Sequence, residues 1–163
     1  MDPLIQILKR LNEQGVDFVL IDGMAAIVHG SSVVTQDINV CVSFSKENVS
    51  KIFAALLPLN SRIRSHPKKM LLSEVIERLD NLKNLYLSTD LGNIDLLGEL
   101  PGVCSFEELR DKTVMLDIAQ DLSCRVLDID TLIAAKRVAA RAKDKVTIHH
   151  LEAIKKRGQS NSK

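Results

Sequence analysis

The chain has 163 residues, is 45% apolar but only 3% aromatic with no Trp, and carries 22 Lys and Arg against 21 Asp and Glu, a formal charge of +1. Such a length is most simply one domain, burying roughly 68–70% of the surface of its unfolded chain, with an aliphatic core. The balanced charge argues against a dedicated nucleic-acid binder.

The three cysteines, Cys41, Cys104 and Cys124, are far apart and form no CxxC pair. They read as free thiols of a reducing compartment. The opening MDPLIQILKRLN lacks the basic and long apolar regions of a secretory leader, and no apolar run approaches a membrane span. A cytoplasmic location is expected.

In chain order, Asp2 is a helix cap with Pro3 at the first helical position, where its missing N–H costs nothing. Leu4, Ile7, Leu8 and Leu11 follow at helical spacing, and Gly15 ends the helix. Residues 16–21 form a short apolar run that predicts a buried strand. Asp22-Gly23 turns the chain into a short helix over 24–28, closed by Gly30. Residues 33–42 predict a strand in which Ile38, Val40 and Val42 share one face, while Asp37, Asn39 and Cys41 take the other. Ser45 caps a helix carrying Val49, Ile52, Phe53 and Leu56.

Residues 57–70 are irregular and basic, with Arg62, Arg64, Lys68 and Lys69 around Pro67, and read as an exposed loop. Leu72, Val75, Ile76 and Leu79 recover helical spacing. Residues 84–88 and 93–97 predict two strands around the turn Asp90-Leu91-Gly92, with Asp95 in the second. Ser105 and Glu108 make a capping box. A second hairpin is expected over 114–118 and 123–127, then helices over 131–142 and 145–156. The predicted organisation is one domain over 1–158, with a core to 100, an extension over 101–158, and a disordered tail at 159–163.

Hard oxygen ligands on neighbouring strands suit Mg²⁺, and the Gly23 turn at a helix start presents backbone N–H groups to phosphate. Phosphoryl and nucleotidyl transfer use such parts, since positioning and charge neutralisation carry most of the catalysis. Asp37 and Asn39 share a strand face, and Asp95 lies on a later strand that can neighbour theirs. From spacing alone this is an α/β domain with a candidate phosphate site.

The segments VLIDGMAAIVHG, VTQDINV, STDLGNIDLLGEL and VLDIDTLIAAKRVAARAKDK resemble, in this order, a bacterial nucleotidyltransferase family of the DNA polymerase beta superfamily, including its minimal, antitoxin-type members. The resemblance covers nearly the whole chain. It implies an α/β (α+β) nucleotidyltransferase fold, a mixed sheet flanked by helices with a helical C-terminal cap. It also implies NTP as substrate, Mg²⁺ as cofactor, and transfer of a nucleotidyl group to an acceptor that is a small molecule, a protein or an RNA.

Carried onto this chain, Gly23 matches the second glycine of the phosphate turn, and Asp37 and Asp95 match the first and third metal carboxylates. Asn39 stands where the second aspartate is usual, Asp22 where the first glycine is, and Val33 where an arginine commonly precedes Thr35. Asn39 removes one negative charge from the metal set. A carboxylate at Asp22 would repel a triphosphate, by about 4 kcal/mol for unit charges ~4 Å apart at an effective dielectric near 20, unless it points away or supplies a replacement metal ligand. The catalytic expectation is therefore Asp37, Asp95 and Asn39, which are also the metal ligands. The nucleotide expectation is Gly23, Asp22, His29, Thr35, Lys136, Arg137 and Arg141. His29 reads either as a nucleotide contact or as a helix-end His bonded to backbone. Lys136, Arg137 and Arg141 share one helical arc that faces either phosphate or solvent. Asp144 reads as a cap of the last helix, paired with Arg141. The departures leave a second reading open: the fold kept without catalysis as a binding module, such as an antitoxin or the regulatory partner of another protein.

Overall fold

The computed structural model describes residues 1–161. Asp2 accepts a hydrogen bond from the Leu4 N–H and starts α1 (Pro3–Glu13), which buries Ile7, Leu8 and Leu11. The four residues of β1 (Phe18–Ile21) are all buried, as a central strand demands. It runs directly into α2 (Asp22–Val28). Then come β2 (Asp37–Val42), α3 (Lys46–Leu56) capped by Ser45, β3 (Arg62–Ile63), α4 (Leu72–Val75), β4 (Asn84–Thr89) and β5 (Gly92–Leu97). The second half has β6 (Glu99–Leu100), β7 (Cys104–Ser105), α5 (Phe106–Leu109), β8 (Thr113–Ala119), β9 (Leu122–Leu127), α6 (Ile129–Ala139) and α7 (Ala142–Asn161).

Among the described residues, seven strands form one mixed sheet in the order β3-β4-β5-β2-β1-β9-β8. The β2–β5 and β1–β9 pairs are parallel and the others antiparallel. Helix α1 packs on α3, while α2, α6 and α7 pack on one another. One cluster of buried side chains runs from Ile7 to Leu151 and is almost wholly aliphatic, with Phe18 and Phe106 its aromatic members. No helix among the described residues is long and apolar enough to cross a membrane.

Several elements differ from the sequence expectation. The strand expected from residue 33 begins at Asp37, because Thr35 Oγ1 donates to the Asp37 carbonyl and holds the preceding segment as a turn. The helix expected around Leu72–Leu79 is only α4 followed by a tight 3₁₀ turn at Ile76–Arg78, where adjacent β-branched Val75 and Ile76 disfavour continuation. The basic stretch is not a free loop: Arg62 and Ile63 pair with Ser88 and Leu87 on β4. Helix α6 starts earlier than expected, because Asp128 caps it by accepting from the Thr131 N–H at 2.7 Å. Helix α7 is longer than expected and continues through Asn161; Ser162 and Lys163 of the expected tail lie outside the described residues.

Candidate functional site

The site is built on one row of the sheet. Ile21 on β1 pairs with Asn39 on β2, Asn39 with Asp95 on β5, and Asp95 with Tyr86 on β4. Directly paired residues share a face, so Asn39, Asp95 and Tyr86 project side by side. Asp37 is in register with Asn93, two residues along β2, or roughly 7 Å away at ~3.3 Å per residue. Asp22 follows the end of β1 and stands beside this row.

Asp22 adopts φ +60°, the left-handed region that suits glycine and is unfavourable for most side chains. Its carboxylate is held there by several partners. Asn39 Nδ2 donates to Oδ2 at 2.8 Å, Lys136 Nζ donates to Oδ1, and Arg141 Nη2 lies 3.7 Å from Oδ2. Burial pushes the Asp22 carboxyl up, but Lys136, Asn39 and Arg141 outweigh it and leave it below the usual 3.8. Gly23, next in the chain, is pressed against Thr35; a Cβ there would lie 3.1 Å from Thr35 Oγ1 and 3.2 Å from Thr35 Cβ.

Lys136 is only 6% exposed, so it is not a solvated surface cation. Besides Asp22 it bonds Asp144 Oδ1 at 3.2 Å. Asp144 is wholly buried and accepts from Arg141 Nε at 2.8 Å, Arg141 Nη2 at 3.3 Å and the Arg141 backbone N–H at 3.0 Å. Burial opposes its ionisation, yet these donors hold its pKa down to about 2. The expected Asp144–Arg141 pair is present, and it also anchors Lys136.

Asp22, Asn39 and Lys136 line two clefts and form the wall between them. The smaller, about 360 Å³, holds Gly23, Val33, Thr35, Asp37 and Lys143. The larger, about 760 Å³, holds Asp95, Arg141 and Tyr86 with an apolar side built mainly by Leu100, Leu132 and Val138. Its far rim is the β6–β7 hairpin, whose Gly102, at φ +73°, leaves no room for a side chain: a Cβ would come within 2.6 Å of Val138 Cγ1.

The structure thus brings together Asp22, Gly23, Thr35, Asp37, Asn39, Asp95, Lys136 and Arg141, but on two sides of a wall. His29 and Arg137 line neither cleft. His29 Nε2 donates to the Leu127 carbonyl at 2.8 Å, and Arg137 pairs with Glu152 on α7. Sequence reasoning missed Arg64. It extends from just beyond β3, donates through Nη1 to the Leu87 carbonyl at 2.9 Å, lies 6.0 Å from the Tyr86 ring, and binds Asp95 through Nη2. The signal for it was its place in the basic stretch that reads as a loop. Cys41 is buried and its thiol is pushed up to about 12 by burial, which makes it a packing residue.

The oxygen set does not fit a divalent cation clamped by three ligands. Asn39 spends its amide N–H on Asp22 and leaves a buried Oδ1 without a partner. Asp95 is neutralised by Arg64, and Asp37 stands alone on the far side of the wall. Among the described residues, no group of three or more His, Cys, Asp or Glu side chains is arranged to hold a metal ion.

No family model matches the chain, and no curated protein matches it in sequence. Solved structures do match. The lincosamide antibiotic adenylyltransferase LnuA, in its lincomycin-bound form, superposes with a TM-score of 0.66 at 14% identity, over 93% of this chain and 96% of its own. TM1012 of Thermotoga maritima, described as a candidate nucleotidyltransferase, gives 0.57 at 14% identity over 98% and 91%. JHP933 of Helicobacter pylori gives 0.53 at 15% identity over 91% and 62%. The chain has a nucleotidyltransferase-like fold.

Proposed function

We propose that this chain is a nucleotidyltransferase-fold binding protein that takes a nucleotide in its paired clefts and in which nucleotidyl transfer is weakened or lost. The observation that carries this reading is the Asp22–Asn39–Lys136 wall. It places a fixed carboxylate against the buried lysine, and the two aspartates that metal-assisted transfer would use together line different clefts. Phosphate groups fit the smaller cleft, where Lys143 is a cation with no acidic partner among the described residues. The apolar side of the larger cleft fits an organic group, such as the base or a small-molecule acceptor. The test pairs calorimetric titration of NTP with assay of transfer from radiolabelled NTP and Mg²⁺. Binding without labelling is expected; absence of binding for all four NTPs would sink the proposal.

A working transferase is the second reading. It is favoured by Asp37 and Asp95 surviving on adjacent parallel strands and by the likeness to the adenylyltransferase LnuA. Under that reading the wild type labels an acceptor with Mg²⁺ present, and Asp37→Ala abolishes the labelling. Labelling that survives Asp37→Ala removes this assignment of the site.

A further inference from the structure

We infer that Arg64 is the resident cation of this site: its guanidinium neutralises Asp95, the one carboxylate of the row, and Asn39 beside it is neutral, so the site works without a divalent metal. The inference rests on the nucleotide-binding reading and extends it to how the ligand is held.

The guanidinium is placed by its surroundings. The Arg64 backbone N–H donates to the Tyr86 carbonyl at 2.9 Å, continuing the β3–β4 pairing by one residue, which aims the side chain across β4. Nη1 donates to the Leu87 carbonyl at 2.9 Å, and the guanidinium carbon lies 6.0 Å from the Tyr86 ring centroid. Nη2 meets Asp95, whose other neighbour in the row is Asn39. The Arg64 side chain is 29% exposed and that of Asp95 is 21%, so the pair is partly withdrawn from water. The planar, permanently charged fork is thus held by a backbone carbonyl as well as by the carboxylate it neutralises.

A divalent cation needs the opposite arrangement. Mg²⁺ is usually held by one or two carboxylates, with waters and substrate phosphates completing a near-octahedral shell. Here the row supplies one carboxylate that already has a counter-charge, plus an amide oxygen with none. Asp37, the carboxylate without a partner among the described residues, faces the smaller cleft across the wall. Arg64 and Asn39 therefore act in the same direction: one adds a positive charge to the row and the other deletes a negative one. Both must change before the row regains the charge of a metal site.

The probe is Mn²⁺ alone, titrated into the full chain and read by electron paramagnetic resonance, with thermal unfolding confirming that each variant is folded. Wild type should bind more weakly than ~1 mM. Asn39→Asp alone should stay in that range. The double variant Arg64→Gln, Asn39→Asp should gain at least about tenfold, whereas Arg64→Lys, Asn39→Asp should gain less because a cation is retained. A purely structural role for Arg64 would not separate Gln from Lys in this way. Wild-type Mn²⁺ binding well below ~1 mM overturns the inference. So does a folded Gln double variant that binds no better than Asn39→Asp; if that variant does not fold, the wild-type and Asn39→Asp titrations decide. ATP titrated in EDTA reports separately. Failure to bind ATP with or without metal removes the nucleotide-binding proposal and, with it, the functional consequence drawn here. ATP binding that appears only with Mg²⁺ removes the inference and leaves the nucleotide-binding proposal standing.

Discussion

Two arginine–carboxylate pairs flank the same cleft, and they are not equivalent. Arg141–Asp144 closes the junction between α6 and α7, with a carboxylate that is 0% exposed and bonded by Arg141 Nε, Arg141 Nη2, the Arg141 backbone N–H and Lys136. Arg64–Asp95 lies across β4 and β5, with one guanidinium contact on a half-buried carboxylate. The first pair is woven into helix packing, so removing its acid strands buried positive charge. The second sits on an already formed sheet and can be altered with little damage to it. The contrast separates what holds the site in shape from what sets its charge.

The largest effect should come from Asp144→Ala. It leaves Lys136 with Asp22 alone and strips Arg141 of its main partner, and breaking a buried pair from one side costs about 3–5 kcal/mol. Urea unfolding measures it; a loss below about 1 kcal/mol would mean that the junction is far more hydrated than its burial indicates.

Acid should act on the same pair. The Asp144 pKa is depressed in the fold from the ordinary 3.8 to about 2, and that of Asp22 is also depressed. A depressed carboxylate contributes stability that is fully present above its unfolded value and is lost as pH falls through its folded value. Stability should thus decline between about pH 4 and pH 2, by on the order of 2 kcal/mol from Asp144. Asp144→Asn should flatten that part of the curve, and an unchanged acid limb in this variant would contradict the assignment.

Asp22 tests the wall between the clefts. Asp22→Ala and Asp22→Gly both remove the carboxylate, but only Ala keeps a side chain at φ +60°. The Gly variant should be the more stable of the two by about 1 kcal/mol. Equal stabilities would show that the backbone relaxes out of the left-handed region once the carboxylate is gone.

Arg64→Ala should have the smallest effect on folding, about 1 kcal/mol or less, because the pair is partly solvated and the strands around it remain paired. A loss comparable to that of Asp144→Ala would erase the distinction between the two pairs.

Much of this was legible in local pattern. Asp2-Pro3 followed by Leu4, Ile7, Leu8 and Leu11 marks α1, and the alternation in Asp37–Val42 puts Asp37 and Asn39 on one face whatever lies beside them. Capping by Ser45 and Ser105 was likewise readable, since each cap acts within three residues of itself. Arg64 was not readable, because its partner is 31 residues away and is reached only after β3 has paired with β4. The exposed-loop reading of that stretch followed from composition, which is silent about which of several basic side chains crosses a strand.

The sequence by itself determined the order of the longer helices and strands, though not the two-residue β3, β6 and β7, together with the aliphatic core and a glycine-like turn and strand carrying Asp22, Asp37 and Asn39, with three departures from the family it resembles. Those are consequences of periodicity, capping and residue chemistry, which operate over a few neighbours. Only the tertiary structure decided what the departures do. The parallel pairing of β2 with β5 puts Asn39 beside Asp95, and the packing of α6 and α7 on α2 brings Lys136 and Arg141 to Asp22. Charges placed by such long-range contacts, as in Lys136–Asp22 and Arg64–Asp95, neutralise one another in pairs that no local pattern encodes.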